Sequence, residues 1–160
     1  MTIVYLTPKL ISIGKVTIEF NENREKIREK LGNDYIEDNQ VIPIGELETD
    51  TIYQRRDIFN NLNSTDSYFF LNYDINDSLS EIEVHKCDLI IVNDFSFGFN
   101  DELDHIVSGL AKYSSIIKKG EGEFFLSDIK VSIIDKNKMG GEGSTLGYFY
   151  CAEDVSHLEN

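Results

Sequence analysis

Leu89-Ile90-Ile91-Val92 is followed by Phe95-Ser96-Phe97-Gly98-Phe99, and then by Asn100-Asp101 and a stripe through Leu103, Ile106, Val107 and Leu110. The first four residues form the near-continuous apolar run of a central strand. Phe95, Phe97 and Phe99 alternate with small or polar residues, as on a half-buried strand. The apolar period then changes from two to that of a helix, with Asn100 or Asp101 as its cap. Ser114 and Ile117 continue the stripe. Lys118-Lys119-Gly120 offers cations for the negative pole and a glycine for a left-handed stop, so a helix reaching that point is predicted.

The same signals occur once before, at a constant offset. Phe20-Asn21-Glu22, Ile27, Leu31 and Gly32 match Phe99-Asn100-Asp101, Ile106, Leu110 and Ala111. Upstream, Ile11 and Ile13, then Val16, Ile18 and Phe20, alternate with a slip at Gly14-Lys15, which marks a bulge or a turn between two strands. Asn21 is the expected cap of a helix over 22–31, with Ile27 and Leu31 inward and Arg24, Lys26, Arg28 and Lys30 solvated. Ile3-Val4-Tyr5-Leu6 is a further short edge strand. Strands are predicted over Ser67–Tyr73, Leu79–His85, Glu123–Leu126, Ile129–Asp135 and Thr145–Ala152, and Phe69-Phe70-Leu71 is matched with Phe124-Phe125-Leu126. The expected fold is α+β: antiparallel sheets with helices on one face. The chain is expected to form one compact domain over 1–160, built from two tandem helix-plus-strands units, roughly 11–86 and 88–152.

One segment breaks the correspondence. Between helix and Phe-Phe-Leu strand the first unit runs from Gly32 to Phe69, the second only from Ala111 to Phe124, and the extra length lies between Asn33 and Thr65. From Leu31 to Gln54 there are six acids (Asp34, Glu37, Asp38, Glu46, Glu48, Asp50) and no Lys or Arg. Tyr35, Val41, Ile42, Ile44, Leu47, Ile52 and Tyr53 are interleaved with them. A long insertion is either functional or contains secondary structure of its own. One reading is a binding surface of aromatic anchors among acids; the other is a core strand over Val41–Leu47 with a solvated acidic side.

Charge limits the partners. Twenty-nine acids against fifteen bases give a net of −14, and the pI is about 4.5. Such a field repels phosphate backbones and anionic membranes and attracts basic proteins, so direct nucleic-acid or membrane binding is not expected. Solubility alone also accounts for an acidic surface. A hydrophobic fraction of 41% and a mean hydropathy of −0.28 describe an ordered protein without membrane spans. The first ten residues have no secretory pattern, and a cytoplasmic location is the expectation, with Cys87 and Cys151 as packed thiols.

The motifs that carry chemistry fall short. His85-x-Cys87 and Cys151-x5-His157 hold zinc-type ligands at spacings unlike those of structural zinc sites. Asp74-Ile75-Asn76-Asp77-Ser78 begins like a calcium loop but places Leu79 and His85 where glycine and a bidentate acid are required, so it reads as a hairpin turn. Lys138 to Thr145 is glycine-rich, yet Glu142 would repel a phosphate and no helix pattern follows. His85, His105 and His157 have no adjacent nucleophile motif. No metal, cofactor or catalytic residue is assigned, and the chain is not expected to be an enzyme. The alternative is a small enzyme or ligand-binding domain with a pocket between sheet and helices, using one of the three histidines.

The unit Phe20-Asn21-Glu22, Ile27, Leu31-Gly32, followed by antiparallel strands, resembles the helix-then-sheet repeat present twice in secreted beta-lactamase inhibitor proteins. It is also similar to the single copy in small outer-membrane assembly lipoproteins. That likeness implies a sheet used as a protein-binding surface, although this chain lacks their signal peptide, lipidated cysteine and disulfide-like spacing. As a small, acidic chain poor in catalytic motifs, it also resembles bacterial immunity proteins of contact-dependent and polymorphic toxin systems. That resemblance implies a non-enzymatic inhibitor that binds a basic toxin domain, a nuclease or another, and occludes its active site. From charge and loop length, the expected contacts are Tyr35, Glu37, Asp38, Glu46, Glu48, Asp50 and Tyr53, followed by Asp74 and Asp77.

Overall fold

The computed structural model describes residues 1–46 and 51–159. Three strands, β1 (Thr2–Thr7), β2 (Leu10–Ile13) and β3 (Val16–Glu19), lead into helix α1 (Arg24–Leu31). Four more follow: β4 (Tyr35–Pro43), β5 (Thr51–Asn60), β6 (Tyr68–Tyr73) and β7 (Leu79–Lys86). The second run is β8 (Leu89–Val92), β9 (Phe95–Phe97), α2 (Leu103–Leu110), β10 (Ile116–Gly120), β11 (Glu123–Leu126), β12 (Val131–Asp135) and β13 (Leu146–Ala152). The slip at Gly14-Lys15 is the turn between β2 and β3, where Gly14 takes a φ of 61°.

A five-stranded sheet has the order β3-β2-β1-β8-β9, and an eight-stranded sheet the order β10-β11-β12-β13-β7-β6-β5-β4. Pairing among the described strands is antiparallel except between β1 and β8, where Ile3 sits opposite Ile90. The α+β class with antiparallel sheets therefore holds, with sheet predominating.

Register makes the two faces of the large sheet readable. One row crosses all eight strands as Glu37, Asp57, Leu71, Ile82, Cys151, Val131, Leu126 and Ile116. Its apolar members, with Phe59, Phe69 and Phe149 from the adjoining row, join Ile3, Ile11, Ile18 and Ile90 of the small sheet in one core. Ile27 of α1 and Ile106 of α2 close that core, each fully buried, a gain of about 1.5–3 kcal/mol apiece. The opposite face carries Ile36, Ile58, Phe70, Glu83, Tyr150, Ser132, Phe125 and Ile117.

Several expectations need correction. Ile3–Leu6 is not at an edge, because β1 lies between β2 and β8, and Glu102, not Asn100 or Asp101, stands at the cap position of α2. The second helix stops at Leu110, and Ile116–Gly120 is strand β10, hydrogen-bonded to β11. Ile116 and Ile117 are β-branched and satisfy a strand once β11 is beside them, a contact that local periodicity does not register. The cap of α1 is Asn23, whose side chain accepts from the Glu25 and Lys26 amides; Asn21 lies outside the helix with a φ of 69°. Arg24 and Arg28 are not solvated but 3% and 7% exposed. Phe69-Phe70-Leu71 lies on β6, next to β7, whereas Phe124-Phe125-Leu126 lies on β11, with β12 between it and β13; the two motifs occupy different places in the sheet.

Candidate functional site

Helical spacing puts Arg24, Ile27, Arg28 and Leu31 on one buried stripe of α1. The two guanidiniums therefore point at the sheet, where β5 supplies Asp57, wholly buried. Its carboxylate accepts four N–H bonds. Arg24 gives two to Oδ1, from Nε at 3.1 Å and Nη2 at 2.6 Å; Arg28 gives one from Nε to Oδ2 and one from Nη2 to Oδ1, both at 2.8 Å. Burial works to raise the acid's pKa, but these bonds outweigh it and hold Asp57 below the usual carboxylate range. The same bonds push Arg28 upward, against its own desolvation.

The network runs outward into β4, β5 and the β6–β7 turn. Arg28 also donates to Glu37 at 2.6 Å and lies over the Tyr35 ring at 4.1 Å. Arg24 reaches Asn39 Oδ1 at 3.1 Å and Asp77 at 3.4 Å. Arg55 grips Asp77 through Nε at 2.9 Å and Nη2 at 2.7 Å, while Arg56 holds Asp38 at 2.7 Å. Glu37 is held below its ordinary value chiefly by the Arg28 bond. Burial works against the same shift at Asp77, where Arg55 prevails. Long-range ion pairs thus fasten the base of a β4–β5 hairpin that extends past the core.

Each expected contact within the described residues has a definite place. Tyr35, Glu37 and Asp77 gather around this arginine network, while Asp38 pairs with Arg56 on the opposite face of the sheet, so the three acids are already paired within the chain. Asp74 Oδ1 accepts from the Asn76 and Ser78 amides, both at 2.9 Å, and shapes the β6–β7 turn. Glu46 is exposed beyond β4, and Tyr53 projects from β5 at 62% exposure. Glu48 and Asp50 lie outside the described residues. Val41 and Ile42 are exposed members of an edge strand, not core residues.

Reading the sequence alone does not single out Arg24, Arg28 or Asp57. The signal for the two arginines lies in their spacing, since they share a stripe with Ile27 and Leu31.

A comparison of the chain with protein-family models, curated proteins and solved structures finds no match.

On the outer face of the large sheet, His85 is ringed by Phe70, Tyr148 and Tyr68, with centroids 4.7, 5.3 and 5.7 Å away. Its Nε2 is 3.5 Å from Glu83. Burial works to raise the Glu83 pKa, but bonds with His85 and Asn72 leave it lowered. A shallow groove of about 320 Å³ runs from this patch past Asn72 and Glu81 to Arg55 and Tyr53. His157 meets Tyr150 at 3.5 Å, and His105 stands apart beside Phe95. Among the described residues no three His, Cys, Asp or Glu side chains are grouped to hold a metal ion. Both thiols are free and buried; burial pushes Cys87 up to about 12 and raises Cys151 as well. No helix among the described residues is long and apolar enough to cross a membrane.

Proposed function

We propose that this chain is a non-enzymatic binding protein of the immunity type, acting in the cytoplasm. It neutralises a basic toxin domain by covering that domain's active site. One observation carries the proposal: β4 is nine residues long, none of them buried, and with β5 it displays Ile36, Val41, Ile42, Ile52 and Tyr53 to solvent. Apolar side chains concentrated on one projecting hairpin are unusual for a surface that meets only water. Their setting in a chain of net charge −14 favours a basic partner, which the overall field would steer into contact.

The tandem organisation belongs to the same proposal. With Leu10 laid on Leu89, Val16 falls on Phe95 and Arg24 on Leu103, so β2 matches β8, β3 matches β9 and α1 matches α2. Each helix is then followed by four strands. On this reading the first unit keeps the scaffold and lengthens one hairpin into a binding arm.

The test is complex formation with the polypeptide encoded next to this chain, followed by protection of cells that express it. A tight complex whose association slows as salt rises from about 0.02 to 0.15 M is expected. Absence of a complex, or a rate indifferent to salt, refutes the proposal.

A further inference from the structure

Four strands lie at sheet ends: β3 with four residues, β9 with three, β10 with five and β4 with nine. Short edges and edge lysines keep strange strands from pairing. β10 is short and carries Lys118 and Lys119. β4 has neither protection: it contains no Lys or Arg, and its one proline is its last residue. Opposite β5, Ile36 meets Ile58 and Ile42 meets Ile52 on the outer face, while Val41 meets Tyr53 on the other. Such an edge offers main-chain hydrogen bonds together with apolar side chains on both faces, which is what strand addition uses.

Charge decides what is added. Asp34 precedes the strand, Glu37 and Asp38 lie within it, and exposed Glu46 follows. A second copy would bring its own net charge of −14 to this edge, and two such fields repel each other. We infer that the free edge of β4 is a docking site for an extended, cationic strand of a partner protein. That strand lengthens the sheet by one, placing apolar side chains beside Ile36 and Ile42 and lysines or arginines towards exposed Asp34 and Glu46 at the two ends of β4. The inference rests on the basic-partner reading above and adds the element and the mode of contact.

The experiment uses the full chain and a synthetic peptide of about ten residues alternating valine and lysine. Amide NMR and hydrogen exchange follow the titration. Slowed exchange confined to β4 amides is expected. It should disappear when every second peptide nitrogen is methylated or when glutamate replaces the lysines. Ile36→Lys, which adds an edge lysine at an exposed position, should weaken binding about tenfold with the melting temperature unchanged. Failure of the unmodified peptide to slow exchange at β4 overturns the inference. So does a concentration-dependent dimer with β4 protected, which would assign the edge to a second copy. Peptide bound elsewhere, for example over Phe70 and Tyr148, overturns the edge assignment yet leaves the basic-partner proposal intact. That proposal falls separately, by the complex-formation test.

Discussion

α1 and α2 both close the same core with buried Ile and Leu, but differ at two further inward positions. Where α2 presents Leu103 and Val107, α1 presents Arg24 and Arg28 on a buried carboxylate. Apolar packing tolerates small displacements, whereas a carboxylate taking four N–H bonds fixes two arginines and one strand in a single geometry. Desolvating those charges costs much of what the bonds return, so net stability is a weak reason for them. Placement is the better one. The α2 half carries a hairpin with strands of five and four residues, and the α1 half one with strands of nine and ten, which must project in a fixed direction.

Removing the anion should break this contrast most severely. Asp57→Ala strands two buried guanidiniums and is expected to cost about 3–5 kcal/mol in denaturant unfolding. The triple replacement Arg24→Leu, Arg28→Val and Asp57→Leu makes the first half resemble the second. It should recover most of that loss while loosening β4, seen as faster amide exchange there. Recovery with β4 still protected would show that the charges do not set the hairpin.

Truncation in the apolar half is the next largest effect: Ile106→Ala should cost about 2–5 kcal/mol, with exchange at β4 unaffected. Acid titration comes third. Asp57, Glu37 and Asp77 all have depressed pKa values in the folded chain. Their contribution is complete above the unfolded carboxylate range of about 4 and is lost as pH falls through the lower folded values. Stability below that range should therefore drop less steeply in the Leu-Val-Leu triple variant than in the parent. The helix caps give the smallest difference. Asn23→Ala should cost about 1 kcal/mol, because two amides lose their acceptor. Glu102→Ala should cost only a few tenths, because Glu102 caps no amide with its side chain.

Legibility in the sequence followed the reach of each interaction. Leu89–Val92 and Glu123–Leu126 are predicted to the residue, since their patterns are local and bounded by turns. The end of α2 is not. Ile117 stays in phase with Leu110, and only pairing with β11 makes it a strand. At the surface, exposure of Tyr53 and Glu46 can be anticipated from a run of acids and aromatics. The arginine network cannot, because Asp57 is 33 residues from Arg24 and 29 from Arg28, and a lone guanidinium is assigned to solvent by default. The acids expected to be free for a partner, Glu37, Asp38 and Asp77, are thereby already engaged.

The parallel alignment of β1 with β8 bears on how the molecule emerges from a ribosome. Ile3 waits for Ile90, which arrives only after more than half of the chain has been made. At about 5–20 residues per second that delay lasts roughly 4–17 s. Throughout it β1 has β2 on one flank and nothing on the other, so a nascent chain long enough to complete α1 and the hairpin still lacks β8 and β9, the strands on the far side of β1. Vectorial synthesis therefore leaves the first half open until the second is made, and a transcript cut short before β8 yields a product in which β1 is left as a bare edge.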